Sequence, residues 1–160
     1  MKKQTTDDLI LLLQKLESHL TQRDQRNESV SKSDVAWQID HSLKVINKVS
    51  EVVLTSDPKA YISHFNKWRF LLFNLNYIPR GKARAPKIVQ PPEKISNKSL
   101  LSQLDLAHQN IDKLKNVQSN AHFKHMIFGV LNKKRTLKFL HLHTKHHLKI
   151  ILSYINFLKD

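Results

Sequence analysis

Only two glycines occur in the 160 residues, and four of the five prolines fall between residues 78 and 93. Outside that segment almost nothing interrupts a helix, and apolar residues recur at the 3.6-residue period instead of alternating as a strand does. The first helix is expected to start at Thr5 or Thr6, with Asp7 and Asp8 suiting the positive end of its dipole and Leu9, Leu12, Leu13, Leu16 and Leu20 forming its stripe. A second helix, about 35–54 and capped by Ser33 or Asp34, is apolar on two sides and therefore central: Ile39, Ile46 and Val53 lie on one, Trp37, Val45 and Val52 on the other. A third helix is expected from Pro58, behind the cap Asp57, to about Asn76; its Tyr61, Phe65, Trp68, Leu71, Leu72 and Leu75 mark it as a core element. Residues 99–117 and 133–158 complete the set, joined by a short link through HFKHMIFG (122–129). The expected class is all-α: a four-helix bundle of one domain over 1–160, with an accessory helix and one long crossover at 78–93.

Composition removes several chemistries. Without cysteine there are no disulfides, thiolate metal sites or Cys nucleophiles, and two glycines cannot build a phosphate-cradling loop. No carboxylate pair or Ser-His-Asp spacing stands out. The longest apolar run, Leu9 to Leu13, is far too short for a membrane span or a signal peptide, so a cytoplasmic protein that does not enter membranes is expected.

The net charge is +14, and residues 81–160 hold 15 basic against 4 acidic side chains, or +11 of it. Such a field attracts anions, whether small molecules or nucleic acid. The last helix carries Lys134, Lys138, Lys145 and Lys149, but without aromatic interleaving or a helix-turn-helix signature, so a basic nucleic-acid module ranks second and a metal-free scaffold third. In the proline-rich segment, Arg80, Lys82 and Arg84 would serve either as a basic lid over a site or as part of a plain crossover.

Six of the ten histidines lie within residues 122–147. His143 and His147, four apart, project from nearly one face of the last helix, with His147 inside its apolar stripe and His143 at the edge. Two inward imidazoles on one helix can share a divalent ion, and His41, on the Trp37 and Val45 side of the second helix, offers a third ligand. His146 and His141 point away. His125 would reach the site as acid/base or cap the start of the last helix.

WQIDHSL (37–43), IPRGKARAPK (78–87), HMIFG (125–129) and HTKHHLKII (143–151) together resemble the DinB/YfiT-like superfamily, and more closely a small bacterial branch of unknown function within it. The resemblance runs from about residue 34 to the end. It implies a four-helix bundle with a divalent metal (Zn, Ni, Fe or Mn) on three histidines, which by position are His41, His143 and His147. This chain departs from the pattern in the short gap between Trp37 and His41 and in Met126, where the branch usually has proline. Relatives with known chemistry transfer low-molecular-weight thiols or isomerise thiol adducts. The resemblance thus implies a metal-dependent enzyme of the hydrolase or thiol-transferase type on a small molecule; the basic charge adds the expectation of an anionic substrate, a homodimer is allowed, and nucleic acid is not expected.

Overall fold

The computed structural model describes residues 5–79 and 86–157. The fold is mostly helical: α1 (Thr6–Ser18), α2 (Val35–Thr55), α3 (Lys67–Asn74), α4 (Asn97–Leu114) and α5 (Lys133–Phe157). Strands β1 (His122–His125) and β2 (Gly129–Asn132) form a small antiparallel hairpin, and single 3-10 turns lie at Leu20–Gln22, Pro58–Ala60 and Lys87–Val89.

Side-chain caps set the long helices' starts. Thr5 and Asp8 exchange hydrogen bonds in a capping box before α1, the Trp37 N–H donates to Asp34 at 2.7 Å before α2, and the Ser99 N–H donates to Ser96 at 3.1 Å before α4. Each such cap is worth about 1 kcal/mol. Helix α2 packs on α4 and α5, and α1 packs on the same two, so the four long helices enclose one apolar interior that includes Leu9, Leu13, Ile39, Leu43, Ile111 and Leu140. The expectation of a central second helix matches this arrangement: α2 buries residues around most of its circumference, polar Gln38, Asp40 and Asn47 among them. The Asn47 amide donates to the Gln103 carbonyl on α4 at 3.1 Å and accepts from Asn110 at 3.1 Å, which satisfies that polarity inside the α2–α4 seam.

Three expectations need correction. Residues 58–76 are not one core helix. Asp57 caps only a 3-10 turn, and Asn66 accepts the Arg69 N–H at 2.8 Å, so α3 starts at Lys67. Between them the chain is held extended by Arg135, which donates to the Tyr61 hydroxyl and to Ser63, and by Arg69, which donates to the His64 carbonyl. Phe65, Trp68, Leu71 and Leu75 consequently lie exposed. The all-α class gains a two-stranded sheet from the link at 122–132, where Phe123 and Leu131 are buried and Lys124 is exposed, a period-2 pattern too short to register in the sequence. Two expected stripe residues, Val52 and Leu101, face solvent, and Leu158 lies outside the described residues.

Gly129 has φ +70°, and that left-handed backbone lets the hairpin turn back on itself. A Cβ there would meet only Arg69 and Asn66 side-chain atoms at 3.7 Å, so substitution strains the backbone without a clash. Gly129→Ala is expected to cost about 1–2 kcal/mol in urea unfolding, with helical circular dichroism unchanged.

Candidate metal centre

Helices α2 and α5 face each other, and their packing brings His41, His143 and His147 together. Each offers one ring nitrogen, and the three nitrogens lie within 4.8 Å of one another. Ring centroids are 4.6–5.1 Å apart, with His41 5.1 Å from His143 and 4.9 Å from His147, and His143 4.6 Å from His147. His41 and His147 are buried. The wall around them is aromatic: Trp37 stacks on His41 at 5.0 Å, and Phe139 lies 5.6 Å from His143.

Hydrogen bonds fix which nitrogen is available. The Val89 carbonyl lies 2.8 Å from His41 Nδ1, and a carbonyl can only accept, so Nδ1 carries the proton and Nε2 keeps its lone pair. His147 is set by a longer chain. The Tyr154 hydroxyl donates to the Ser33 carbonyl at 2.9 Å, so it accepts from the Gln38 amide nitrogen at 3.2 Å. That orientation turns Gln38 Oε1 toward His147 Nδ1 at 2.6 Å, and Oε1 accepts the ring proton. His147 Nε2 is therefore also a lone pair. His143 Nδ1 is buried and has no hydrogen-bond partner, a state that costs free energy unless something else engages the ring.

Electrostatics agree with this chemistry. Burial holds all three imidazoles below their ordinary pKa of 6.5. His143 and His147 lie well below it, pushed further down by His41 and His146; His41 is partly restored by the Val89 carbonyl and Asp40. All three are neutral at pH 7, the form that binds metal. The donor set suits a divalent ion such as zinc: three neutral imidazoles from two rigid helices, with outer carbonyls orienting two of them. Bonds of about 2.0–2.1 Å would place the ligand nitrogens roughly 3.4 Å apart, so small ring rotations close the cluster.

Other expected site residues stand around or away from the trio. His125 does not cap α5: its Nδ1 accepts the N–H groups of Ile127 and Phe128, its ring stacks on Phe128 at 4.6 Å, and burial holds its pKa at about 4, while it lies near enough to His143, with Phe139 against both rings, to lower that ligand's pKa. Lys138, expected to be exposed, is buried and donates to Asn76. Arg80, Lys82 and Arg84 lie outside the described residues, but the chain after them crosses the centre, where Val89 meets His41 and the Gln90 carbonyl accepts from Lys44 at 3.3 Å. Sequence reasoning missed Gln38, Tyr154 and Val89. The first two carried a signal, since Gln38 is three residues before His41 and Tyr154 seven after His147, each on its ligand's face. Val89 acts through its main chain and carried none.

Gln38→Leu removes the acceptor that orients His147 and is expected to weaken zinc binding about 10–100-fold, read by competition with a chromophoric chelator. A second expectation concerns pH. Because the folded-state values of these imidazoles and of His125 lie below 6.5, the unfolded chain takes up protons first as pH falls. The stability they contribute is complete above that value and declines below it. The urea midpoint of metal-free protein should drop between about pH 7.5 and about pH 5; a flat midpoint contradicts the burial. No family model, curated protein or solved structure matches the chain, so the centre is assigned on its own geometry alone.

Proposed function

We propose that this chain is a four-helix bundle of the DinB/YfiT-like type that binds one divalent metal ion through His41, His143 and His147, and that it acts as a metal-dependent enzyme, of the hydrolase or thiol-transferase kind, on a small molecule. The observation that carries this reading is the histidine trio itself: neutral, gathered from two helices, with hydrogen bonds holding two Nδ1 protons away from the centre. Mutual packing of the four long helices supports the bundle part of it.

When bound on three protein ligands, such an ion has open positions and supplies Lewis acidity that lowers the pKa of a water or thiol at neutral pH. The chain's own part is positional. The Val89 carbonyl and the Gln38–Tyr154–Ser33 relay lock ring orientation, while Trp37 and Phe139 keep water from the flanks of the ligands. No described helix is long and apolar enough to cross a membrane.

Calorimetry with zinc and elemental analysis of untagged protein test the reading. One equivalent per chain is expected, lost in His41→Ala, His143→Ala and His147→Ala, while His108→Ala on α4 binds as the parent does. Absence of zinc, nickel, iron and manganese binding in the parent protein overturns it.

A further inference from the structure

Two surface cavities flank the centre, each separated from it by one aromatic ring. Behind Trp37 lies a cavity of about 190 Å³ in which Arg26 and Lys32 are balanced by Asp34 and Glu93. Behind His146, whose ring meets His147 edge-on at 5.2 Å, lies a larger one of about 320 Å³. Its walls are residues 76–79 on one side and Leu142, Lys145, His146 and Lys149 of α5 on the other, with no carboxylate among them.

The sequence of α5 explains the imbalance. Lys133–Phe157 contains no Asp or Glu, so its lysines have no partner one turn away. Lys138, Lys145 and Lys149 are seven and then four residues apart, on one face of the helix. Among the described residues neither Lys145 nor Lys149 enters a salt bridge, and both are exposed. Burial, and after it the charge of Lys145, lowers the pKa of Lys138 on the same face of the helix.

The opposite wall is built, not incidental. Asn76 adopts φ +51°, and the Tyr77 N–H donates to the Leu72 carbonyl at 3.1 Å, the closing hydrogen bond of a left-handed helix terminus after α3. That turn carries Tyr77, Ile78 and Pro79 across α5, and the Asn76 side chain accepts from Lys138, tying this wall to α5. A cation-lined recess that also presents Ile78, Pro79 and Leu142 has the volume of a small-ligand site.

We infer that this recess binds a small dianionic group of the phosphate-monoester class through Lys145 and Lys149. It lies one ring from the metal centre, where a bound anion would add its charge beside His146. That relation to a metal rests on the metal-centre reading; the anion site does not.

The probe is inorganic phosphate at constant ionic strength, followed by amide chemical shifts of ¹⁵N-labelled protein. Shifts centred on residues 76–79 and 145–149 are expected. Lys145→Ala/Lys149→Ala should weaken phosphate at least tenfold with zinc binding and circular dichroism intact, whereas the control Lys124→Ala/Lys134→Ala, which removes the same charge, should leave it within twofold. Zinc-free His143→Ala protein should bind phosphate as the parent does, and a parent protein that binds phosphate but no zinc counts against the centre and not against the recess. Equal weakening in both double variants means diffuse attraction and overturns the inference. So does phosphate binding that needs zinc and ignores the lysines. A DNA duplex that binds through Lys145 and Lys149 and is not displaced by phosphate likewise overturns it, in favour of a nucleic-acid surface.

Discussion

Two buried imidazoles on facing helices each give the Nδ1 proton to a fixed oxygen, and the candidate centre depends on that exchange. His41 donates to the Val89 carbonyl, and His147 to the Gln38 amide. An unbonded imidazole at these depths would cost on the order of 1–3 kcal/mol. Meeting that demand draws in Ser33 ahead of α2, Tyr154 near the end of α5 and the chain segment around Val89. Elements far apart in sequence are thus tied to the two ligand helices by the same hydrogen bonds that set the ligands' protonation. His143 differs from them, because its buried Nδ1 has no hydrogen-bond partner.

On helix α2 the buried carboxylate beside His41 is satisfied as well. Buried Asp40 accepts from Lys44 at 2.5 Å and from Gln103 at 2.7 Å, and Lys44 also donates to the Gln90 carbonyl. Truncating one partner of a buried ion pair is far more damaging than the pair is stabilising. Asp40 therefore acts chiefly to hold α2, α4 and the segment at Gln90 in one register beside His41. Lying next to a ligand, it also partly counters the lowering of the His41 pKa by burial.

What the sequence disclosed follows from the range of the forces involved. Helical period and local caps are short-range, and Thr5, Asp34 and Leu9 to Leu16 act as read. The His143–His147 pair is equally local, and His41 joins it because α2 is buried on nearly all sides. Failures occur where long-range partners decide. Residues 61–66 are extended because guanidinium groups at Arg69 and Arg135 capture them, and Asn66 restarts the helix. The hairpin owes its place partly to Ser56, whose hydroxyl accepts the His122 N–H at 2.9 Å across 66 residues. Lys138, basic in a basic helix, is buried because a turn after α3 presents Asn76 to it. None of these pairings leaves a periodic trace.

The most direct test of the account is the tautomeric state of the histidines in metal-free protein, read from long-range ¹⁵N–¹H correlations of the imidazole rings near pH 7.5. His41 and His147 should appear as neutral rings protonated at Nδ1, with Nε2 shifting when zinc is added. His125, whose Nδ1 accepts two backbone N–H groups, should appear protonated at Nε2 and keep that tautomer when zinc is added. Nε2-protonated rings at His41 and His147, or charged ones, would contradict the claim that the fold presets these side chains as metal ligands.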